Sequence, residues 1–288
     1  MKPGIFQVRK RVESRMMFLL CTLFSAAILG TLALVTWFLV SKGFSAMSWD
    51  FFTKGPELNE RGVLAGGMRN GIEGTLILLG LASLIGVPTG LLAGVYLAEY
   101  SSEVWLANPA RFVADVLSGV PSIVVGILGY ELVVVPMGRF SGWAGVSALA
   151  FIMIPIVART SEEMLKLVPQ SYREGSLALG ATKAQTILRV VIPAASGSVV
   201  TGVMLAVARV AGETAPLLFT ALGTRLMTRD PSQPFPSLTL MIFNYAKSPS
   251  PDQQRLAWAG ILVLIMILFI LNLATRSITA RSIRSRVG

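Results

Sequence analysis

Residues Pro169–Pro193 read PQSYREGSLALGATKAQTILRVVIP. This is the longest polar stretch that still has the pattern of folded structure, and apolar runs flank it on both sides. Pro169 is suited to the first position of a helix, and Glu174 lies early enough to favour its N-terminal half. Leu177 and Leu179 give that helix an apolar face. Gly180 is placed to end it in a left-handed cap. Thr182 can cap a second short helix whose buried side would be Ala184, Ile187, Leu188 and Val191. Pro193 is expected to stop that helix before the next apolar run. The stretch therefore predicts a helix–turn–helix knuckle between two membrane helices. An amphipathic loop resting on lipid headgroups is the competing reading.

The composition around this knuckle is that of an integral membrane protein. Of 288 residues, 53% are hydrophobic and 14% charged, against a soluble norm of roughly a quarter charged. Several apolar runs exceed the ~18–20 residues that span a bilayer. The expected class is an all-α polytopic membrane protein in contact with the lipid bilayer. The formal charge is +10, but the basic residues gather at the chain ends beside apolar runs. There they act as topology determinants, so no nucleic acid partner is expected. With no histidine, imidazole catalysis and His-ligated metal sites are excluded. The single cysteine, Cys21, lies in an apolar run and reads as a small packing residue. No Gly-x-x-x-x-Gly-Lys-Ser/Thr phosphate loop occurs, so ATP hydrolysis would belong to another chain. Neither a catalytic residue nor a metal ligand is expected.

The apolar pattern gives six spans. Residues 1–15 form a basic cytoplasmic N-terminus with Lys2, Arg9, Lys10, Arg11 and Arg15, and residues 16–40 a retained first helix. Residues 41–70 are read as an external loop. A core over 71–275 would hold five further helices and a cytoplasmic loop over 161–193, followed by a basic tail over 276–288. The second span, Gly71–Leu97, contains Pro88 and leads to an acidic loop around Glu99 and Glu103. The third, Phe112–Met137, contains Pro121 and is expected to kink near Leu117, whose carbonyl loses its partner. The fourth runs Trp143–Thr160, the fifth Ala194–Leu222 and the sixth Leu256–Ala274. An even number of spans puts both basic ends on one side.

Charges at membrane depth mark candidate sites. A central arginine costs ~2.5–3.5 kcal/mol to insert, so it requires a partner or water. Arg209 and Glu213 lie near the middle of the fifth span, four residues apart, which on a continuous helix puts them on one face. Pro216 frees the carbonyl of Gly212 beside them and should kink the helix. The three groups would form a polar constellation, either an internal ion pair or the lining of a transport pathway. Arg159 is a second candidate, at the end of the fourth span before Glu162 and Glu163, and Glu131 is a third charge at apparent depth. Ser198, Gly202 and Ala206 form a small-residue stripe suited to close helix packing. An anion pathway favours arginine, whose planar fork meets two oxyanion oxygens at once.

Two sets of residues carry a resemblance. Glu174-Gly175-Ser176, three residues, Gly180, nine residues and Val190-Val191-Ile192-Pro193 resemble the EAA motif of ABC importer permeases, with aliphatic or small-residue departures at Gly175, Ser176, Val190 and Ile192. The stretch from Arg209 to Ala221, RVAGETAPLLFTA, is similar to the PstA family of phosphate-importer permease subunits, as are Pro155–Glu163 and Gly119–Gly126. The resemblance implies a type I ABC importer permease fold. Glu174, Gly175, Ser176, Gly180 and Pro193 would form a coupling helix docked on an ATPase, and Arg159, Arg209 and Glu213 would serve the pathway. It further implies a heterodimer with a PstC-like permease, two PstB-like ATPase subunits that bind ATP and Mg, a periplasmic phosphate-binding protein, and inorganic phosphate as substrate. No cofactor is implied for this chain itself. A permease for sulfate or molybdate, or an ion-coupled carrier using Arg209 and Glu213, are the alternatives.

Overall fold

The computed structural model describes residues 5–58, 64–101, 105–224 and 228–287. Lys2 and Glu103 of the sequence reading lie outside them. Helix α1 (Ile5–Ser45) is followed by the short α2 (Trp49–Thr53) and a two-stranded antiparallel hairpin, β1 (Pro56–Leu58) and β2 (Leu64–Gly66). Helix α3 (Arg69–Glu99) leads to α4 (Ala107–Gly119), α5 (Ser122–Gly129), a π turn over Tyr130–Val134 and the single turn α6 (Val135–Met137). Then come α7 (Gly142–Lys166), α8 (Gln170–Ala178), α9 (Lys183–Thr186), a second π turn over Ile187–Val191, and α10 (Ile192–Ala211). The chain ends with α11 (Ala215–Thr220), α12 (Leu238–Ala246) and α13 (Pro251–Val287).

Five of these helices are long and apolar enough to cross a membrane, and α4 with α5–α6 makes a further, bent candidate. Contacts at the two ends of α3 show that this bent pair crosses. At one end Arg111 of α4 donates to the Leu97 carbonyl. At the other, Thr75 of α3 accepts from Leu238 N–H, and the turn after α6 is held there by Ser141 N–H to Thr220 O and Gly142 N–H to Gln233 O. The chain between Ala107 and Gly142 therefore passes from one end of α3 to the other. That gives six crossings, with the start of α1 and the end of α13 on the side of α8.

The core forms where α3 and α7 meet. Gly86, Gly90 and Gly94 recur every fourth residue on α3. A Cβ at Gly90 would sit 2.8 Å from the Ile154 carbonyl oxygen, and one at Gly94 2.7 Å from that of Ala158. Such spacing lets two backbones approach closely, which dispersion rewards in lipid. Leu78, Ala82, Val146, Met153, Val157 and Val210 fill the same core. At the α12 end a second cluster joins Phe51, Met68, Leu238, Met241 and Ala257. The predicted external loop over 41–70 is thus folded in its described part: α1 continues to Ser45, and Phe51 is fully buried. The long segment after the fifth span likewise folds back as α12, with five buried residues. Cys21 is exposed on α1 rather than packed.

Both prolines expected to kink spans break them instead. At Pro121 the chain turns by 105° between α4 and the α5–α6 segment. The Leu117 carbonyl is not left free, because it accepts from Val120 N–H. The helix closes with this short bond and restarts, which avoids the clash a proline ring makes inside a helix. At Pro216 the fifth span behaves the same way: α10 ends at Ala211, and Pro216 sits in the first turn of α11. Pro193 shows the opposite departure. Residues 183–211 run as one helix through it, because the π turn just before it shifts the bonding to i→i−5, as in Ile192 N–H to Ile187 O. The first π turn stands in the same relation to Pro136. A widened turn accommodates the ring without ending the helix.

Candidate coupling face and transport path

The knuckle is built largely as its residues dictate. Pro169 lies one position earlier than predicted, as the residue before α8. Gly180 adopts φ +84°. Gly180 N–H reaches Leu177 O at 2.9 Å and Ala181 N–H reaches Ser176 O at 3.2 Å, the paired bonds of a Schellman cap. Thr182 and Gln185 close a reciprocal capping box on α9. Ile187 and Val191 are buried as predicted, but Ala184 and Leu188 face outward and Thr186 takes a buried place. The π turn explains this, since the extra residue rotates the face that a regular helix would present.

Helix α8 itself has no buried residue. Tyr172 and Leu177 are exposed and Leu179 is 91% exposed. Glu174 is exposed and makes no ion pair among the described residues, and Gly175 faces open space. The side chain of Ser176 turns inward, 2.9 Å from the Thr186 hydroxyl. The helix thus presents a free apolar surface and a carboxylate without an ion pair among the described residues.

Above the knuckle stands an ion cluster that sequence reasoning missed. Glu162 of α7 has a fully buried side chain that meets Arg111 Nε at 2.6 Å, Lys166 Nζ at 2.6 Å and Arg159 Nη1 at 2.9 Å. Arg159 also meets Asp115 of α4 at 2.7 Å. Arg159 is therefore held between two carboxylates where α4 packs on α7, and its charge is compensated there. Arg159, Glu162 and Lys166 were legible as a set from their i, i+3 and i+4 spacing. Arg111, 51 residues away, was not. Arg173 was also missed. Its guanidinium binds both oxygens of Glu99, at the end of α3, with Nη2–Oε1 at 2.7 Å.

Arg209 and Glu213 do not share a helix face. Because α10 ends at Ala211, Glu213 falls in the break, and its backbone N–H bonds to Val210 O. No ion pair joins the two, and Arg209 is exposed without an ionic partner among the described residues. Glu213 is half-buried, and its carbonyl accepts from Thr239 Oγ1 of α12. The two broken spans pack on each other: a Cβ on Gly126 of α5 would lie 2.8 Å from Pro216 Cα of α11. Of the small-residue stripe, Gly202 meets Thr160 of α7 and Ala206 is buried, whereas Ser198 is exposed. Glu131 is exposed in the first π turn. The arrangement offers an uncompensated guanidinium beside two interrupted helices, the setting in which non-helical backbone is tolerated at membrane depth.

Comparison with known proteins fits this architecture. The family described as "Binding-protein-dependent transport system inner membrane component" matches residues 86–284. The phosphate transport system permease protein PstA of Yersinia pestis is 46% identical over 243 residues, covering 84% of this chain and 81% of the relative. The chain belongs to the PstA family. The PstA 1 protein of Mycobacterium tuberculosis (strain CDC 1551 / Oshkosh) is 34% identical across 99% of this chain and 95% of its own. PstA relatives thus match the first helix as well as the core. Among solved structures, a chain of a bacterial alginate ABC importer superposes with TM-score 0.65 at 14% identity, covering 95% of this chain and 99% of its own. A chain of the MetNI methionine ABC transporter gives 0.61 at 18%, covering 75% and 97%. These likenesses establish the type I ABC permease fold for this chain.

Proposed function

We propose that this chain is a permease subunit of an ATP-driven phosphate importer in the inner membrane and catalyses no covalent chemistry. It forms half of a translocation path with a PstC-like permease. Two PstB-like ATPases, which hold the ATP and Mg, dock on α8, and a periplasmic phosphate-binding protein delivers inorganic phosphate at the opposite end. The α8 side, with both chain ends, faces the cytosol. ATP binding draws the coupling helices of the two permeases together and opens the path outward.

The observation that carries the pathway reading is Arg209, exposed and without an ion pair among the described residues, two residues before the end of α10. A guanidinium so placed costs too much to be left against lipid, and its fork suits a tetrahedral oxyanion. Phosphate as the particular oxyanion rests on the relatives, which are phosphate transport system permeases. The test is radiolabelled phosphate uptake in cells that lack other phosphate transporters, with the four-subunit complex expressed. Uptake should require the ATPase and resist excess sulfate and molybdate. Uptake driven without the ATPase, or abolished by those competitors, would reject the proposal.

A further inference from the structure

Helix α8 stands off from the ends of α3 and α7 across a cleft of about 600 Å3 lined by Ala98, Glu99, Lys166, Val168, Arg173 and Thr186, among others. It buries no residue of its own, so ordinary packing gives it little hold on the membrane helices. A side chain of α8 crosses the cleft to the end of α3. Arg173 Nε and Nη2 bind the two carboxylate oxygens of Glu99, and its remaining donors reach Val168 O at 2.6 Å and Leu165 O at 3.0 Å. The first carbonyl lies between α7 and α8, and the second belongs to the last turn of α7. The Arg173 side chain is 14% exposed and that of Glu99 6%. A largely desolvated bidentate pair is stiffer than an exposed one, because water competes less for either charge.

We infer that Arg173 and Glu99 are positioning residues of the coupling machinery, a clamp that makes α8 move as one body with α3 and α7. Helices α3 and α7 are already joined along the Gly86–Gly90–Gly94 stripe. The clamp therefore delivers a displacement of α8 to the pair of helices at the centre of the core. A second tie, Ser176 to Thr186, reaches α9, whose Lys183 lies 4.3 Å from the centre of the Tyr100 ring just past α3; that contact is with a ring face and lacks the two-point grip of Arg173. Lysine cannot replace Arg173, since an ammonium lacks the planar fork that holds both oxygens while also serving two carbonyls.

This inference rests on the importer reading, and two measurements separate the failure of each. The first uses the four-subunit complex in proteoliposomes and records phosphate transported per ATP hydrolysed, together with ATPase retention and melting temperature. Arg173→Gln and Glu99→Gln should each retain the ATPase yet lower transport per ATP about tenfold, with Arg173→Lys between them and wild type. The double variant should be no worse than either single one. If Arg173→Gln reduces uptake only in proportion to lost complex, the pair merely supports folding and the inference fails. The second measurement is independent of substrate. On a Cys21→Ser background, spin labels at Leu92→Cys and Ala178→Cys report the α3–α8 distance with and without ATP. The distance should be the same in both states with Arg173 present, and nucleotide-dependent in Arg173→Gln. A distance that changes with Arg173 present, or stays fixed in Arg173→Gln, would overturn the clamp. Absence of phosphate transport by the wild-type complex would reject the importer reading alone.

Discussion

Arg209 and Glu162 show opposite ways of keeping a charge in a membrane protein. Arg209 is exposed and has no ion pair among the described residues, while Glu162 is buried among three cations. Arg209→Gln should abolish phosphate uptake and Arg209→Lys should reduce it strongly, both at normal subunit abundance in the membrane. Since no ion pair connects Arg209 and Glu213, the effects of Arg209→Lys and Glu213→Gln on uptake rate should multiply. A double variant no worse than Arg209→Lys would reveal a coupled pair and contradict the geometry. Glu162→Gln should act on stability instead, because three cations lose the buried carboxylate they share. Arg111, Arg159 and Lys166 are 23%, 31% and 49% exposed, so water offsets part of the loss and the cost stays below the ~3–5 kcal/mol of a fully buried pair. The check is the melting temperature of the purified complex, which should fall. Arg209 was legible in the sequence because an arginine in an apolar run is conspicuous by cost alone. Glu162 was noticed only as a neighbour of Arg159, and Arg173 not at all. Their partners Arg111 and Glu99 lie 51 and 74 residues distant, beyond the reach of any local spacing rule.

At the level of elements, local rules succeed where the decisive contacts are local. The cap at Gly180, the cap at Thr182 and the bounds of α3 follow from neighbouring residues, whereas α7 runs on to Lys166, six residues past its expected end at Thr160 and into the stretch read as loop. Gly180→Val should disfavour the left-handed cap, since a β-branched side chain is strained at positive φ. The subunit should still insert, but the solubilised complex should lose its ATPase or couple it poorly. Normal uptake with normal retention would count against α8 as the coupling helix. What the sequence left undecided was the response to proline. Pro121 and Pro216 break their helices, whereas Pro136 and Pro193 are absorbed by π turns. Composition supplies the same residue in all four cases; the tertiary surroundings select between restart and widening. The glycine stripe on α3 gives a further test. Gly90→Ala places its methyl 2.8 Å from the Ile154 carbonyl oxygen and 2.7 Å from Val157 Cβ. Forcing α3 and α7 apart should cost about 1–3 kcal/mol, seen as a lower melting temperature. Gly80→Ala, where the same atom meets nothing within 4 Å, should leave it unchanged.

For the whole molecule, six crossings place the start of α1, the knuckle and the end of α13 on one side. On a Cys21→Ser background, Leu179→Cys should be protected from an impermeant thiol reagent in intact spheroplasts and Asp50→Cys should react. The reverse pattern would invert the topology. The count of six was readable from apolar runs alone, because crossing a bilayer fixes a length that composition reports. The 105° bend inside the third crossing was not, because it depends on packing against α7 and α11. The union of α3 with α7 also has a mechanical side. Helix α3 has 31 residues, an arm of about 46 Å at 1.5 Å per residue. Gripped at Glu99 and turned by only about 5°, an arm of that length carries its far end through about 4 Å. Thr75, which meets Leu238 of α12, lies about 36 Å along that arm from Glu99 and would shift by about 3 Å. If α3 turns with the knuckle, as the importer reading has it, a slight tilt there would arrive enlarged at the opposite end of the core.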